Sequence, residues 1–304
     1  MGRSRKSIRR CRKTGRFPLQ GLPPTSRPTP FLQPEPGLGR RLAPFGKIAP
    51  PSMAQGPSFF LVIPAYRESR RLPHFLPHLA QTLIESFPSA RIQVVDDGSG
   101  TEEQAETARL IGSLQKKFPN LLEPLLLPHN LGKGGAILAA WDKNPGLDYL
   151  AFVDADGAIS PEEVCRLASL LPPSGSERAL FASRIRMLGR KIERKSLRHY
   201  AGRLFATCIG GLLDSEVYDS QCGLKFIPTT VYSRIRPWLE GRRFAFDLEL
   251  LATLRHIGCP IEEVPIHWHD VAGSKVSLGR DSIRMLRSAW SIRHARQTWP
   301  SLNS

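Results

Sequence analysis

From residue 59 onward, short apolar runs alternate with longer segments whose apolar residues recur at every third or fourth position. The run Phe59–Ile63 ends at Pro64 and predicts a buried strand, and Leu72–Phe87 has the spacing of an amphipathic helix. Further strands are predicted at Ile92–Val95, Leu121–Leu127, Tyr149–Val153 and Ala179–Ala182, and further helices at Thr101–Lys117, Lys133–Asp142 and Glu162–Leu171. This alternation predicts an α/β fold in which helices cover both faces of a mostly parallel sheet.

The second half of the chain is less regular. It predicts helices at Lys195–Leu213, Phe246–Ile257 and Asp281–Arg296 and a half-exposed strand at Ile261–Trp268. The last helix is amphipathic, because Ile283, Leu286 and Trp290 share one side and arginines surround them. Such a helix can lie on an anionic membrane or pack on the domain core, and the sequence leaves both alternatives open.

Residues 1–52 differ from the rest of the chain. They contain 12 Lys and Arg residues against one acid, Glu35, and ten of the 27 prolines, and they show no hydrophobic period. This composition predicts disorder. The segment is a nucleic-acid- or lipid-binding arm, a targeting peptide, or translated upstream sequence with the natural start at Met53; we favour the last. We therefore expect the folded domain to span residues 53–304.

The cysteines and the hydropathy indicate the compartment. The chain has five cysteines, an odd number, and no Cys-x-x-Cys pair, which favours a reduced cytosolic environment. No apolar run approaches the ~20 residues that a membrane-spanning helix needs. We expect a cytoplasmic protein that is peripheral at the cytoplasmic face of a membrane.

Charged and glycine-rich loops follow four of the predicted strands, at the sheet edge where parallel sheets bind ligands. The first is Pro64–Glu68, the second contains Asp96 and Asp97, and the fourth contains Asp154 and Asp156. The third, Asn130–Ala136, is rich in glycine and contains Lys133, which can reach a phosphate at the start of a helix. This glycine pattern is not a Walker A motif, and no Gly-x-Gly-x-x-Gly follows the first strand, which argues against a P-loop NTPase and a dinucleotide oxidoreductase.

Two pairs of aspartates in these loops suggest specific chemistry. Asp154 and Asp156 would repel one another unless a cation lay between them, and their hard oxygen ligands suit Mg²⁺ or Mn²⁺ bridging a diphosphate. The alternative is a helix N-cap or an Asx-turn before the helix at Pro161. Asp96 and Asp97 can accept hydrogen bonds from a nucleobase or a ribose. The alternative for Asp97 is a cap on the helix that begins at Thr101.

Four sequence motifs, taken in order, resemble those of family-2 glycosyltransferases, which have a GT-A (Rossmann-like) fold. They are Val62–Tyr66, Val94–Ser99, Asn130–Ala136 and Asp154–Ala158. Later motifs resemble the branch that loads a sugar onto a polyprenyl or dolichyl phosphate, and most of all the dolichyl-phosphate β-glucosyltransferases. These later motifs are Ser183-Arg184, Asp219–Lys225, Phe244–Leu251, Glu263–Ile266 and Gly273–Lys275.

The resemblance implies an inverting, metal-dependent transfer of a sugar, with glucose favoured, from a nucleotide sugar to a polyprenyl phosphate. UDP-glucose is the favoured donor. The resemblance also implies that Asp154 and Asp156 hold the metal-bound diphosphate, and that Arg184, Arg198 and Lys275 grip the lipid phosphate. Together with the loop chemistry, it predicts donor binding by Pro64, Tyr66, Glu68, Asp96, Asp97, Lys133 and Gly134. The chain departs from the family pattern at Arg67, where Asn is usual, and at Ala158, where mannose-using relatives have Gln.

Two alternatives concern the acceptor and the class of protein. A phosphate acceptor is already an anion and needs no general base, whereas a sugar hydroxyl needs a carboxylate base, for which Asp219, Asp247 and Glu249 are candidates. The runner-up is therefore a family-2 transferase that acts on a sugar hydroxyl in polysaccharide or glycolipid synthesis. An RNA-binding protein would place stacking aromatics beside basic residues in the folded body. The sequence has no such cluster, and we expect no nucleic-acid partner.

Overall fold

The structure is a computed structural model that describes residues 56–143, 146–185, 192–193, 217–241, 245–269 and 280–299. For residues 192–193 and 280–286 it describes the backbone alone. The predicted disordered segment 1–52, the predicted helix Lys195–Leu213 and the predicted site residues Arg198 and Lys275 lie outside these ranges.

The described strands and helices alternate along the first half of the chain, as the periodicity predicts. The strands are β1 Phe59–Ala65, β2 Arg91–Asp96, β3 Leu125–Leu126, β4 Tyr149–Val153, β5 Ala179–Ser183, β6 Ile192–Glu193, β7 Leu224–Pro228, β8 Ile261–Pro265 and β9 Trp268–His269. The helices are α1 Leu72–Ser86, α2 Thr101–Gln115, α3 Gly132–Trp141, α4 Pro161–Ala168, α5 Thr229–Ile235, α6 Phe246–His256 and α7 Arg280–Arg296.

The third strand is much shorter than predicted. A single bridge joins Leu121 to Ile92, and ladder pairing resumes only at β3. Pro124 lies between the two and has no N–H to donate, so the predicted strand Leu121–Leu127 is interrupted there.

Seven strands form one mixed sheet in the order β3-β2-β1-β4-β7-β5-β8. All neighbouring pairs are parallel except those made by β7, which runs antiparallel to β4 on one side and to β5 on the other. The periodicity did not predict β7. Because of its direction, the amino end of β7 lies beside the carboxyl end of β4, where Leu224 pairs with Val153.

Two hydrophobic layers lie on opposite faces of the sheet. Along β1, Phe59, Leu61 and Ile63 pack with α1, α2 and α4, whereas Phe60 and Val62 pack with α3, α5 and α6. All five side chains are at most 1% exposed. The predicted α/β fold with helices on both faces is therefore confirmed.

Helix α7 packs on α6 through Ala289 and Ile292, which contact Leu248 and Ala252. Trp290 is 59% exposed, so the alternative in which Ile283, Leu286 and Trp290 pack on the core is wrong for Trp290, and the side chains of Ile283 and Leu286 lie outside the described part of the chain. In the part of the chain that the structure describes, no helix is both long and apolar enough to cross a bilayer.

Substitution of the glycine that follows β2 tests the backbone geometry at the carboxyl edge of the sheet. Gly98 has φ +69°, and a Cβ there would lie 2.3 Å from the carbonyl carbon of His129. We predict that Gly98→Ala lowers the free energy of unfolding by about 2 kcal/mol or more, because it combines left-handed strain with a backbone clash.

Gly112, within α2, is the matched control, since a Cβ there meets nothing within 4 Å. Gly112→Ala should raise the free energy of unfolding by about 0.5–1 kcal/mol, since alanine restricts the unfolded chain and favours the helix. Urea unfolding measures both values. Equal unfolding free energies for the two variants would contradict the geometry at Gly98.

Candidate active site

The predicted loops meet at one edge of the sheet, at the carboxyl ends of β1, β2, β3 and β4, and the carboxyl end of β5 lies at the same edge. Ala65 pairs with Asp96 at the ends of β1 and β2, and Asp97 N donates to Ala65 O at 2.8 Å. The antiparallel β7 adds its amino end to the same edge. The sheet thus brings together side chains that are far apart in the sequence.

Asp96 organises the loop that follows β2. Its Oδ1 accepts a hydrogen bond from Ser99 N at 2.8 Å and one from Gln104 Nε2 at 3.1 Å. Ser99 Oγ in turn accepts from Arg67 N at 2.8 Å, and this bond ties the loop after β2 to the loop after β1. Arg67 has φ 55°, a left-handed conformation that asparagine tolerates better than most residues.

Asp97 holds the glycine-rich loop. Its Oδ1 accepts from Leu131 N at 2.7 Å, and its Oδ2 accepts from Gly132 N at 2.8 Å. The alternative in which Asp97 caps the helix at Thr101 is wrong, because the N-cap position of α2 is Gly100 and no side chain caps it. The carboxylate of Asp97 instead fixes the start of α3, and with it the position of Lys133.

The other predicted nucleoside-binding residues lie on the loop after β1. Pro64 and Tyr66 are half-buried, and the guanidinium of Arg67 lies 5.2 Å from the centre of the Tyr66 ring. Glu68 Oε2 lies 3.4 Å from Arg71 Nη1, and Glu68 O accepts the backbone N–H groups of Arg71 and Leu72 at the start of α1. The loop therefore presents one partly exposed aromatic ring and one paired carboxylate.

Asp154 leaves the end of β4 beside β7. Its backbone N donates to Gly223 O at 3.0 Å, and its side chain is 40% exposed. A Cβ at position 223 would lie 2.1 Å from Asp154 Oδ2, so this carboxylate position requires glycine there.

Asp156 makes the predicted local turn, since its Oδ1 accepts from Ala158 N at 3.0 Å. It does not cap the following helix. Ser160 occupies the N-cap of α4 and accepts from Glu163 N at 3.4 Å. Burial raises the pKa of Asp156, and the negative charge of Asp154 raises it further.

Four charged side chains form a row that we call the charge chain: Lys225, Asp247, Lys133 and Asp154. Lys133 Nζ lies 3.0 Å from Asp154 Oδ1 and 3.1 Å from Asp247 Oδ2. Lys225 Nζ lies 2.5 Å from Asp247 Oδ1 and donates to Cys222 O at 2.7 Å. The charge chain thus runs from the interior of the sheet to the partly exposed carboxylate of Asp154 at the end of β4.

Lys133 and Asp247 keep their charges although they are buried. Burial opposes the charge of Lys133, but Asp154 and Asp247 outweigh it and raise the pKa of that ammonium. Burial also opposes the charge of Asp247, but Lys133 and Lys225 lower the pKa of that carboxyl overall. Lys225 is 0% exposed, and it is not among the site residues predicted from the sequence. A lysine within the apolar segment Leu224–Pro228 is the signal that could have identified it.

Arg184 is paired with an acid rather than free. Its Nε and Nη2 donate to the two carboxylate oxygens of Asp219 at 2.7 and 2.8 Å, and its backbone N donates to the same group. Burial opposes the charge of Arg184, but Asp219 outweighs it and raises the pKa of the guanidinium. Glu263 fixes Asp219 by accepting its backbone N–H at 2.9 Å.

Two further predicted residues have structural contacts. Gly134 is buried, and a Cβ there would lie 2.6 Å from Phe246 Cβ, so this glycine allows α3 to pack on the start of α6. Glu249 accepts the backbone N–H groups of Glu240 and Gly241 at 2.9 and 3.0 Å and is 2% exposed.

Comparison with known proteins decides the family. Residues 60–206 match glycosyl transferase family 2. A dolichyl-phosphate beta-glucosyltransferase of Dictyostelium discoideum is 30% identical over 243 residues, which cover 77% of this chain and 73% of that protein. The protein of the same name from Saccharomyces cerevisiae is 30% identical over 247 residues, covering 77% and 74%. The chain belongs to glycosyl transferase family 2.

Solved structures show that this glycosyltransferase has the GT-A fold. Glucosyl-3-phosphoglycerate synthase from Mycobacterium tuberculosis, in complex with Mn²⁺, UDP and glucosyl-3-phosphoglycerate, matches with a TM-score of 0.54 and 14% identity, covering 81% of this chain and 82% of that one. The same synthase with Mg²⁺ and UDP matches with a TM-score of 0.55. At this level of identity the likeness concerns the fold alone.

The two aspartates of the glycosyltransferase have the donor chemistry for a divalent metal. Asp154 and Asp156 offer carboxylate oxygens, and a cation between them would relieve the repulsion that raises the pKa of Asp156. Among the described residues, no group of three or more His, Cys, Asp or Glu side chains is placed so that it could hold a metal ion. One or two carboxylates together with phosphate oxygens and water are the ligands that Mg²⁺ usually has in such sites, and Asp154 and Asp156 fit this donor set.

Proposed function

We propose that the protein transfers glucose from UDP-glucose to a polyprenyl phosphate of the dolichyl type, with inversion at the anomeric carbon and with Mg²⁺ or Mn²⁺. The observation that carries this proposal is that each carboxylate considered as a general base already has structural partners. Asp219 is held by Arg184, Asp247 by two lysines, and Glu249 by two backbone N–H groups.

A general base must take a proton from the acceptor, and its pKa is best near the working pH. The lysines instead lower the pKa of Asp247, and two oxygens of that group already accept from ammonium groups. A hydroxyl acceptor would lack a base among these three residues. A phosphate acceptor needs none, because it is already an anion near neutral pH, so the same observation disfavours the sugar-hydroxyl alternative.

The donor occupies the edge formed by β1, β2 and β4 in this proposal. Pro64, Tyr66 and Glu68 border the nucleoside, and Asp96 and Asp97 set the loops around it. Asp154 and Asp156 would hold the metal, which would supply positive charge to the leaving diphosphate. The names of the two relatives favour glucose as the transferred sugar and dolichyl phosphate as the acceptor.

In this proposal the acceptor phosphate is bound by three cations, of which Arg184 lies just after β5. The side chain of Arg184 is 24% exposed beside Asp219, so it is not fully enclosed by the protein. Arg198 and Lys275 supply the remaining positive charge. These groups hold the acceptor phosphate close to the donor diphosphate, so that the acceptor phosphate can attack the anomeric carbon directly. Catalysis then comes from positioning and charge neutralisation.

The acceptor lipid requires contact with a membrane, and α7 presents a suitable surface. Trp290, Arg287 and Arg293 are exposed on this helix, away from the residues that pack on α6. An aromatic ring surrounded by arginines suits the interface of an anionic leaflet. We propose that the protein docks here at the cytoplasmic face of a membrane.

The metal role is tested by removing one carboxylate charge at a time. We predict that Asp154→Asn and Asp156→Asn each lower sugar transfer by at least about a hundredfold while the protein stays folded. Glu262→Gln is the control, because that acid forms an exposed pair with Arg178. Near-normal rates for both aspartate variants in the presence of EDTA would refute the metal role.

The acceptor assignment is tested by removing cations. Arg184→Ala, Arg198→Ala and Lys275→Ala should each raise KM for polyprenyl phosphate, or lower kcat, by about tenfold, the effect of one charged hydrogen bond. The dissociation constant for UDP should change little in Arg198→Ala and Lys275→Ala. Arg178→Ala, at an exposed arginine, is the control. Full activity in all three cation variants would end the lipid-phosphate assignment.

Membrane docking is tested by sedimentation with vesicles. Trp290→Ala should weaken binding to anionic vesicles about tenfold, consistent with the loss of one buried aromatic side chain. Leu170→Ala removes a comparably exposed apolar residue after α4 and should leave binding unchanged. Equal binding of the wild-type protein to anionic and neutral vesicles would contradict docking through α7.

A further inference from the structure

We propose that Lys133 neutralises Asp154 in the metal-free enzyme and releases this carboxylate when the metal binds. The ammonium of Lys133 is then available to bind the donor diphosphate. This inference rests on the proposed metal site. It assigns to Lys133 a positioning role that couples the occupancy of the metal site to the binding of the nucleotide.

The first support is the position of the ammonium. Lys133 Nζ lies 3.0 Å from Asp154 Oδ1, within hydrogen-bond distance of an oxygen that a metal ion would take. An ammonium and a divalent cation repel strongly when both contact one carboxylate. Metal binding at Asp154 must therefore weaken or displace the contact with Lys133.

The second support is that Lys133 has a second anchor that the metal does not reach. Asp247 is 4% exposed, and its other oxygen is held by Lys225, so it stays in place when Asp154 changes partner. The ammonium of Lys133 then remains at the edge of the site instead of moving into solvent. Its stem begins in the first turn of α3, where helix N–H groups also favour an anion.

The third support is the balance of charge. Without metal, the two lysines of the charge chain neutralise Asp247 and Asp154. Asp156, two residues after Asp154, adds one further negative charge. A divalent cation makes this group of residues net positive, which favours a diphosphate. Metal and nucleotide should therefore bind cooperatively, and Lys133 should contribute to that coupling.

The test measures the affinity of the full chain for Mn²⁺. Electron paramagnetic resonance reports the concentration of the free ion during the titration. Without nucleotide, Lys133→Met should bind Mn²⁺ at least about fivefold more tightly than the wild type, the lower end of typical coupling between sites. With saturating Mn²⁺, the same variant should bind UDP about tenfold more weakly, because a charged contact is lost. Lys116→Met, at an exposed lysine just after α2, should match the wild type in both measurements.

A second variant separates charge from bulk. Lys133→Arg keeps the positive charge, so its Mn²⁺ affinity without nucleotide should stay within about twofold of the wild type, and a gain like that of Lys133→Met would overturn the proposal. The proposal also fails if Lys133→Met unfolds at the wild-type urea concentration yet binds Mn²⁺ no more tightly. Absence of Mn²⁺ binding by the wild type, with and without UDP, would instead reject the metal site and this inference with it.

Discussion

Several carboxylates crowd one edge of the sheet, and each of them contacts at least one cation. Asp154 and Asp247 share Lys133, Asp247 also contacts Lys225, and Asp219 is held by Arg184. Buried acids without such partners would take up protons or destabilise the fold. Removing one partner from a buried pair typically costs about 3–5 kcal/mol. Asp154 is the most exposed of these three carboxylates, and this exposure supports its proposed role as a metal ligand.

This arrangement depends on the antiparallel strand β7. Its insertion between β4 and β5 places Gly223 against Asp154 and brings Lys225 beneath Asp247. A parallel strand at the same position would present its carboxyl end at this edge instead. The strand direction thus determines which charges lie behind the loop after β4, and the two loops joined by Asp97 form the opposite side of the site.

The first half of the fold was predictable because its strands are buried apolar runs and its helices are amphipathic. β7 was missed because Lys225 interrupts its apolar pattern, and the acid that neutralises it is Asp247, on a later helix. The loop residues were predictable as a group, since they follow strands that end at one edge. Their partners were not: Asp97 binds N–H groups 34 and 35 residues away, a contact that only the folded chain defines.

The central claim is that the acceptor is a lipid phosphate and that no carboxylate base is needed. The most direct measurement incubates the full chain with radiolabelled UDP-glucose, Mg²⁺ and either dolichyl phosphate or dolichol of the same length, and then counts the label in the organic phase. We expect labelled lipid when the acceptor is dolichyl phosphate and none when it is dolichol. Addition of EDTA should abolish the labelling. Label transferred to dolichol or to a soluble sugar, with none on dolichyl phosphate, would contradict this claim.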